Sequence, residues 1–178
     1  MSSIVIEEAG AEHIATIYQI YRHHVLHGIA TFETEPPDEQ EMAHRVDKVR
    51  QAGLPWLVAT EHGHVLGYCY LSPYRPRYAY RFTLEDSIYL APECAGRGLG
   101  KRLLQAALER VRQLGYRQVV AVVGNSDNQA SLGVHRSLGF EMVGTLRSVG
   151  MKHGRWVDTV IMQRALGEGD NTLPPEGR

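Results

Sequence analysis

The chain has 178 residues, of which 43% are hydrophobic and 22% charged, and its 19 basic residues nearly balance its 20 acidic ones. This composition is typical of one compact globular domain, and a formal net charge of −1 gives no reason to expect nucleic acid as a partner. Because the two cysteines form no CxxC pair, and no signal peptide or apolar run of ~18 residues is present, we expect a cytoplasmic protein without a metal site or membrane contact.

The first half of the chain predicts three strands and two helices. A short strand over residues 3–7 precedes a helix over about 11–27, in which apolar residues recur at helical spacing. Asp38 is a suitable N-cap for a second helix that reaches about residue 52. Two strands, over residues 56–60 and 65–71, then flank a His-Gly-His turn and predict a hairpin.

The middle of the chain predicts a strand, a glycine-rich turn and a long helix. The strand covers residues 83–90, and the helix runs from about Leu99 to Leu114 with an apolar stripe along one face. The next segment, residues 118–123, is nearly all apolar. Such a pattern is typical of a strand covered on both faces of a sheet.

The last part of the chain predicts a short helix and two strands. The helix covers about residues 129–138, and the strands cover 141–149 and 155–166. This order of elements indicates one α/β domain over residues 1–166. Residues 167–178 lack core-forming side chains, and we expect them to be a disordered tail.

The strongest local motif is the turn Ala95-Gly96-Arg97-Gly98-Leu99-Gly100-Lys101, which joins the strand to the long helix. Glycines permit positive φ and close approach of a ligand, and the free amides of a helix N-terminus bind anions such as phosphate. Arg97, Lys101 and Arg102 add positive charge. A Walker loop is excluded because no Ser or Thr follows the lysine, and a dinucleotide fingerprint would open the first βαβ unit. The motif predicts phosphate binding; a turn whose glycines only allow tight packing is the alternative.

On these residues the sequence resembles the GNAT superfamily of N-acetyltransferases. In that family a strand, a turn of the form Gln/Arg-x-x-Gly-x-Gly/Ala and a helix bind the pyrophosphate of coenzyme A. Gly98-Leu99-Gly100 matches the turn, whereas Ala95 stands where the family usually has Gln or Arg. The resemblance implies acetyl-CoA as co-substrate and a central mixed, mostly antiparallel sheet flanked by helices. It also implies that one strand offers its backbone to the pantetheine arm, through Ile88, Tyr89 and Leu90.

Within the superfamily the chain is similar to the phosphinothricin and methionine sulfoximine acetyltransferases. Matching segments follow in the same order along nearly the whole chain, among them residues 31–36, 55–59, 79–85, 138–140 and 152–158. The resemblance implies a homodimeric enzyme that acetylates the amine of a small amino-acid-like substrate by direct transfer in a ternary complex. The alternatives are acetylation of a protein N-terminus or a polyamine, and a non-catalytic sensor that binds acetyl-CoA.

Acetyl transfer to an amine needs a base, because an α-amine titrates near pH ~8 and is mostly protonated at neutral pH. Glu85 lies just ahead of the glycine turn and matches the carboxylate proposed as base in the phosphinothricin branch. The alternative is a surface carboxylate paired with Arg77 or Arg81. Asp86 has the same chemistry, but neighbouring residues of a strand point to opposite faces.

His135 follows Asn128 and Ser131 by seven and four positions, which places the three on one face of the short helix. The phosphinothricin branch has a histidine at the position of His135. There it could protonate the departing thiolate or relay the proton of the amine, and a purely structural histidine is the alternative. Asn128 and Ser131 match positions that hydrogen-bond the pantetheine arm, with helix capping as the alternative.

The irregular segment before the strand of Glu85 carries three arginines interleaved with tyrosines, namely Arg75, Arg77 and Arg81. Guanidinium groups suit carboxylates and phosphinates, so we expect this segment to bind an anionic group of the substrate. A solvated basic loop is the alternative. Phe32 and Glu33 match another segment that lies near the substrate in relatives. Trp156 is interpreted as a packing or dimer contact.

Overall fold

The computed structural model describes residues 3–175, which form a seven-stranded sheet and four α-helices. The helices are α1 (Ile14–His27), α2 (Glu39–Gln51), α3 (Leu99–Gln113) and α4 (Gln129–Ser137). The strands are β1 (Ile4–Glu8), β2 (Trp56–Glu61), β3 (His64–Pro73), β4 (Thr83–Leu90), β5 (Gln118–Gly124), β6 (Glu141–Lys152) and β7 (Arg155–Ala165). Within this part of the chain, no helix combines the length and the apolar character that a membrane crossing requires.

The strands lie in the order β1-β2-β3-β4-β5-β7-β6. All neighbouring strands are antiparallel except β4 and β5, which run parallel. The sheet is therefore mixed and mostly antiparallel, which confirms the prediction. Helix α3 packs on β1 to β4 and also contacts α4, whereas α1 packs on α2, β3 and β4.

Local sequence explains where the helices form. The carboxylate of Asp38 accepts a hydrogen bond from the amide of Glu41 at 2.7 Å, so the predicted N-cap of α2 is confirmed. The predicted apolar stripe of α3 is buried from Leu99 to Val111. Leu114, which was predicted to end this stripe, lies outside the helix because α3 ends at Gln113. The side chain of Leu114 is 44% exposed.

Two other elements differ from the prediction. The first helix begins at Ile14 because the preceding residues, Ala11–His13, form a 3₁₀ turn. In the tail, residues 167–175 are described, and the guanidinium of Arg117 donates hydrogen bonds to the backbone carbonyls of Gly169, Thr172 and Leu173. These bonds hold the tail as far as Leu173 to the domain, where we expected disorder. Residues 176–178 lie outside the described residues.

Candidate active site

The parallel strands β4 and β5 separate halfway along the sheet. Their pairing begins at Thr83 and Gln118 and ends at Asp86 and Ala121, although both strands continue. Beyond that point β4 pairs only with β3, and β5 pairs only with β7. A wedge with unpaired backbone edges therefore opens between two strands in the middle of the sheet. An extended ligand can bind there with the hydrogen bonds of an added strand.

A cavity of about 190 Å³ occupies this wedge. Both predicted catalytic residues, Glu85 and His135, line it. Other lining residues come from β4, from α4 with its N-cap and from the chain after α1, among them Phe32, Asp86, Ile88, Tyr89, Asn128 and Ser131. Val122, from the apolar strand β5, also lines it and is 36% exposed, so β5 is covered on both faces except at the wedge. The structure thus brings residues from four separate parts of the chain to one site.

The glycine turn enters α3 beside the wedge. Gly96 and Gly98 have φ values of 82° and 75°, in the left-handed region that favours glycine, and Gly98 is the N-cap of α3. No side chain caps this helix, and the first amide bonded within it is that of Arg102, to the carbonyl of Gly98. The preceding amides of the first turn are therefore available to an anion, as the phosphate prediction requires.

The cations of the turn have different surroundings. Arg97 forms an ion pair with Glu61 at 3.1 Å, so part of its charge is already compensated. Lys101 and Arg102 are exposed in the first turn of α3. The side chain of Leu99 is fully buried, so only its backbone can serve a ligand. Ala95 is exposed and offers no polar side chain to the turn.

The predicted strand contacts are only partly available. Ile88 and Tyr89 line the cavity. Leu90 does not, and its carbonyl oxygen accepts a hydrogen bond from Nε2 of His24 at 2.7 Å. Ile88 and Tyr89 lie beyond the last residue of β4 that pairs with β5, and the backbone contacts of this strand with the pantetheine arm stay a prediction.

Glu85 is half-buried at the narrow end of the wedge. Burial raises the pKa of its carboxyl group, and the neighbouring carboxylate of Asp86 raises it further, whereas the charge of Arg75 partly offsets both effects. A carboxylate with a raised pKa is a stronger base than one in water, which suits the removal of a proton from an ammonium group. The described residues show no ion pair of Glu85 with Arg77, one of the two partners in the alternative that the sequence left open.

Asp86 points away from Glu85 towards α4, as neighbouring residues of a strand should. Its Oδ1 atom lies 2.9 Å from Nε2 of His135, and the side chains of Asp86 and His135 are 3% and 4% exposed. The other nitrogen of His135, Nδ1, lies 2.7 Å from the carbonyl oxygen of Ser131. Asp86 is therefore a buried partner of His135, which the sequence reasoning missed.

Helix α4 presents the other predicted residues to the cavity. Oδ1 of Asn128 accepts a hydrogen bond from the amide of Ser131 at 3.3 Å, so Asn128 is the N-cap of the helix. Because Asn128 and Ser131 also line the cavity, capping leaves the Asn128 amide group and the Ser131 hydroxyl near a ligand in the wedge. Their pantetheine contacts stay a prediction.

A segment over residues 28–33 contributes Ala30 and Phe32 to the wall of the cavity. The amine of Lys152 donates a hydrogen bond to the carbonyl of Thr31 at 2.8 Å and so ties this segment to β6. Gly150 allows the close approach, because a Cβ atom there would lie 2.3 Å from the ring of Phe32. Two contacts with one strand thus hold this segment in the wall of the cavity.

Glu33 does not line the cavity. Its carboxylate accepts two hydrogen bonds from the guanidinium of Arg45, at 2.6 and 3.3 Å, and a third from the hydroxyl of Tyr21. Arg45 holds the pKa of Glu33 below its usual range, so this carboxylate stays charged and paired. Glu33 is thus paired with Arg45 and Tyr21 at the end of the segment that carries Phe32, and its contact with the substrate stays a prediction.

The three predicted arginines line a second cavity, of about 750 Å³, on the side of β3 and β4. Arg81 stacks over the ring of Tyr78 at 4.0 Å and Arg75 over that of Tyr74 at 5.1 Å. Glu85 does not line this cavity. Of the three arginines, Arg75 is the one whose charge lowers the pKa of Glu85, a residue that lines the wedge.

Known proteins resemble the chain over nearly its whole length. Residues 14–140 match the model of the acetyltransferase (GNAT) family. The phosphinothricin N-acetyltransferase of Alcaligenes faecalis is 54% identical over 161 residues, which are 90% of this chain and 82% of that protein. The L-methionine sulfoximine/L-methionine sulfone acetyltransferase of Pseudomonas aeruginosa is 40% identical over 165 residues, or 92% of this chain and 95% of that protein.

A crystal structure gives the same result for the fold. The phosphinothricin acetyltransferase of Sinorhizobium meliloti, solved in complex with acetyl-CoA, superposes with a TM-score of 0.95 and 47% identity, over 98% of this chain and 95% of that one. The chain therefore belongs to the acetyltransferase (GNAT) family, whose members are acetyl-CoA-dependent acyltransferases. Acetyl-CoA is thus its co-substrate.

Proposed function

We propose that this protein acetylates the α-amine of small amino acids of the phosphinothricin, methionine sulfoximine or methionine sulfone type. The observation that carries the proposal is Glu85, a half-buried carboxylate with a raised pKa at the narrow end of a wedge built for an extended thioester. The names of the relatives from Alcaligenes and Pseudomonas support this substrate class.

In the proposed reaction Glu85 accepts the proton of the ammonium group, directly or through one water. The amine then attacks the carbonyl carbon of the thioester, a C–N bond forms, and the C–S bond breaks. The nitrogen of the tetrahedral intermediate loses one further proton, and this proton passes through solvent to the departing thiolate, so that coenzyme A leaves as the free thiol. Pre-positioned backbone amides of the wedge can hold the acetyl carbonyl in place during the attack.

We further propose direct transfer in a ternary complex, without an acyl-enzyme. The two cysteines, Cys69 and Cys94, are 0% and 3% exposed, and neither lines the wedge. Burial raises the pKa of the Cys69 thiol, and the nearby Asp86 raises it further, which suppresses the thiolate that a covalent mechanism would need.

A thiol-release assay with a panel of amines tests the proposed function. We expect rapid release of coenzyme A with methionine sulfone, methionine sulfoximine and phosphinothricin, and the N-acetylated amino acid in the product by mass spectrometry. Activity on a peptide with a free N-terminus, or on a polyamine, in place of these amino acids would identify a different acceptor class. Binding of acetyl-CoA without release for any amine would indicate a non-catalytic sensor.

Arg75 is our candidate for the group that binds the substrate carboxylate. Arg75→Ala is expected to raise the KM for the amino acid by about 10-fold, because a charge-assisted hydrogen bond is lost, while the KM for acetyl-CoA hardly changes. Arg77→Ala is the matched control, since Arg77 lines the same second cavity, and the described residues show no action of it on Glu85. Equal KM values for the amino acid in wild-type protein and the Arg75 variant would place the anion pocket elsewhere.

We also propose that the protein is a homodimer and that a second copy covers the β6–β7 edge of the sheet. Strand β6 is the last in the sheet, and its hairpin with β7 exposes apolar side chains that are each more than half accessible: Val143, Leu146, Val149, Met151 and Trp156. An apolar surface of this extent on an edge strand indicates an interface. Because Trp156 is 67% exposed, packing within the chain does not explain it.

The dimer proposal gives an expected result for a charged variant of this edge. Val149→Glu combined with Trp156→Glu should convert dimers into monomers in sedimentation velocity, because two charges would be buried without partners. Leu173→Glu, which adds a charge at a residue 90% exposed outside the patch, should remain dimeric. A wild-type protein that sediments as a monomer at tens of micromolar would contradict the proposal.

We place the protein in the cytoplasm. Both cysteines are free thiols, and such unpaired cysteines are typical of a reducing compartment.

A further inference from the structure

The hydrogen bonds of His135 determine where its protons are. Its Nδ1 atom lies 2.7 Å from the backbone carbonyl oxygen of Ser131. A carbonyl oxygen can only accept a hydrogen bond, so Nδ1 must carry a proton. A neutral imidazole has a single N–H, and its Nε2 atom would then be a bare acceptor.

Nε2 nevertheless lies 2.9 Å from Oδ1 of Asp86. An unprotonated nitrogen and a carboxylate oxygen at this distance would repel each other, so a second proton must lie between them. Both side chains are almost fully buried, at 4% and 3% exposure, which leaves the pair largely shielded from water. The second carboxylate oxygen, Oδ2, is buried and has no hydrogen-bond partner among the described residues, so His135 is the only described donor for this carboxylate.

The surroundings favour the proton on the ring. His135 lies in the last turn of α4, where the helix dipole stabilises a cation. Burial by itself lowers the pKa of His135, but the hydrogen bond and charge of Asp86, with the Ser131 carbonyl, more than offset burial and raise it. The ring of Phe140 meets the imidazole edge to face, with centroids 4.9 Å apart, and brings no competing charge.

We propose that His135 and Asp86 form a buried imidazolium–carboxylate pair, and that Asp86 is a positioning residue for Glu85. This inference rests on the proposed function, in which Glu85 is the base. Asp86 is the last residue of β4 that pairs with β5, so the pair joins α4 to β4 at the point where the wedge opens. Glu85 is the adjacent residue of the same strand.

The proposal changes the role of His135. Both ring nitrogens are engaged by protein atoms, one by Ser131 and one by Asp86. Neither is free to protonate the departing thiolate or to relay the proton of the amine. His135 therefore fixes the geometry of the site and compensates the Asp86 charge, and the proton transfer at the amine is assigned to Glu85 alone.

The charged and titratable groups around the pair come from three elements. Asp86 is on β4, next to Glu85. It faces His135, which belongs to α4, and the thiol of Cys69, which belongs to β3. Glu85 in turn is affected by Asp86 and by Arg75 from the segment after β3, and its own charge acts on Tyr70 of β3. Removal of the Asp86 charge should therefore lower the pKa of Glu85, because a neighbouring negative charge disfavours its ionised form.

Nitrogen-15 NMR of the histidine rings in the wild-type protein tests the proposal. We expect both ring nitrogens of His135 to be protonated at pH 7.5, where a histidine with an ordinary pKa is mostly neutral. His24 is the internal reference, because burial lowers its pKa and it should show one protonated and one bare nitrogen at neutral pH. A His135 ring with a bare nitrogen at pH 7.5 would overturn the inference. It would not contradict the proposed acetyltransferase activity, which the thiol-release assay tests separately.

Asp86→Asn provides a second measurement with nearly the same shape. The amide can donate to a neutral Nε2, so His135 should become neutral in the same NMR experiment. We expect kcat to fall by about 10-fold and the acid limb of its pH profile to move to lower pH, since Glu85 loses a negative neighbour. An unchanged limb together with a still-protonated ring would refute the positioning role. If this variant does not fold, the wild-type spectrum decides alone.

Discussion

Replacement of Gly98 by valine is expected to weaken the binding of acetyl-CoA by at least about 10²-fold. Gly98 has φ of 75° and is the N-cap from which the free amides of α3 begin. A β-branched residue disfavours this conformation, so the amides of the first turn would no longer converge on the pyrophosphate. Two charge-assisted hydrogen bonds contribute about 1.5–3 kcal/mol each, and their loss accounts for the expected effect. Isothermal calorimetry measures it directly.

Gly53 offers a matched control for this substitution. Its φ is 76°, and a Cβ atom at Gly53 or at Gly98 would meet no atom within 4 Å. Gly53→Val should therefore cause a similar loss of stability, about 1–3 kcal/mol, with acetyl-CoA affinity unchanged. A folded Gly98→Val protein with wild-type affinity would remove the turn from the pyrophosphate site.

The elements of the fold were largely predictable because each depends on local sequence. The apolar stripe of α3, the Asp38 cap and the β2–β3 hairpin are properties of short segments, and the structure confirms them. The separation of β4 from β5 was not derivable from periodicity. It depends on pairing between segments about 35 residues apart, and no local pattern marks the residue at which such pairing stops.

Site residues were predictable where their type and position in the sequence indicate their role. They were not predictable where the role depends on a contact with a residue far away in the sequence. Glu85 and the glycine turn follow from residue type and position. Asp86 and His135 are 49 positions apart, and their contact exists only in the folded chain. Glu33 shows the reverse case: an isolated carboxylate in the sequence is paired with Arg45 in the structure and so does not line the wedge.

Glu85→Gln is expected to lower kcat by about 10²-fold at neutral pH, the usual contribution of a general base. Glutamine keeps the size of the side chain and its hydrogen-bonding capacity but cannot accept the proton. The affinity for acetyl-CoA should stay near that of the wild type, because the glycine turn is untouched. Stopped-flow or steady-state thiol release measures the change.

Glu85→Asp is the chemical control, since it retains a carboxylate but withdraws it by one methylene group. Its kcat should lie between those of the wild type and the glutamine variant. Asp86→Asn does not serve as an inert comparison, because Asp86 is buried against His135. Loss of activity in Glu85→Asp equal to that in Glu85→Gln would show that position as well as charge is indispensable.

The pH dependence of kcat for the wild type and for Glu85→Gln, at saturating acetyl-CoA and amino acid, tests the central assignment most directly. The wild type should show an acid limb above the ordinary pKa of glutamate, because burial and Asp86 raise the pKa of Glu85 and activity requires its ionised form. The glutamine variant should lack this limb, and its deficit should shrink as pH rises towards the amine pKa near ~8, where solvent supplies the free base. A variant with the rate and pH profile of the wild type would contradict the assignment of Glu85 as the base.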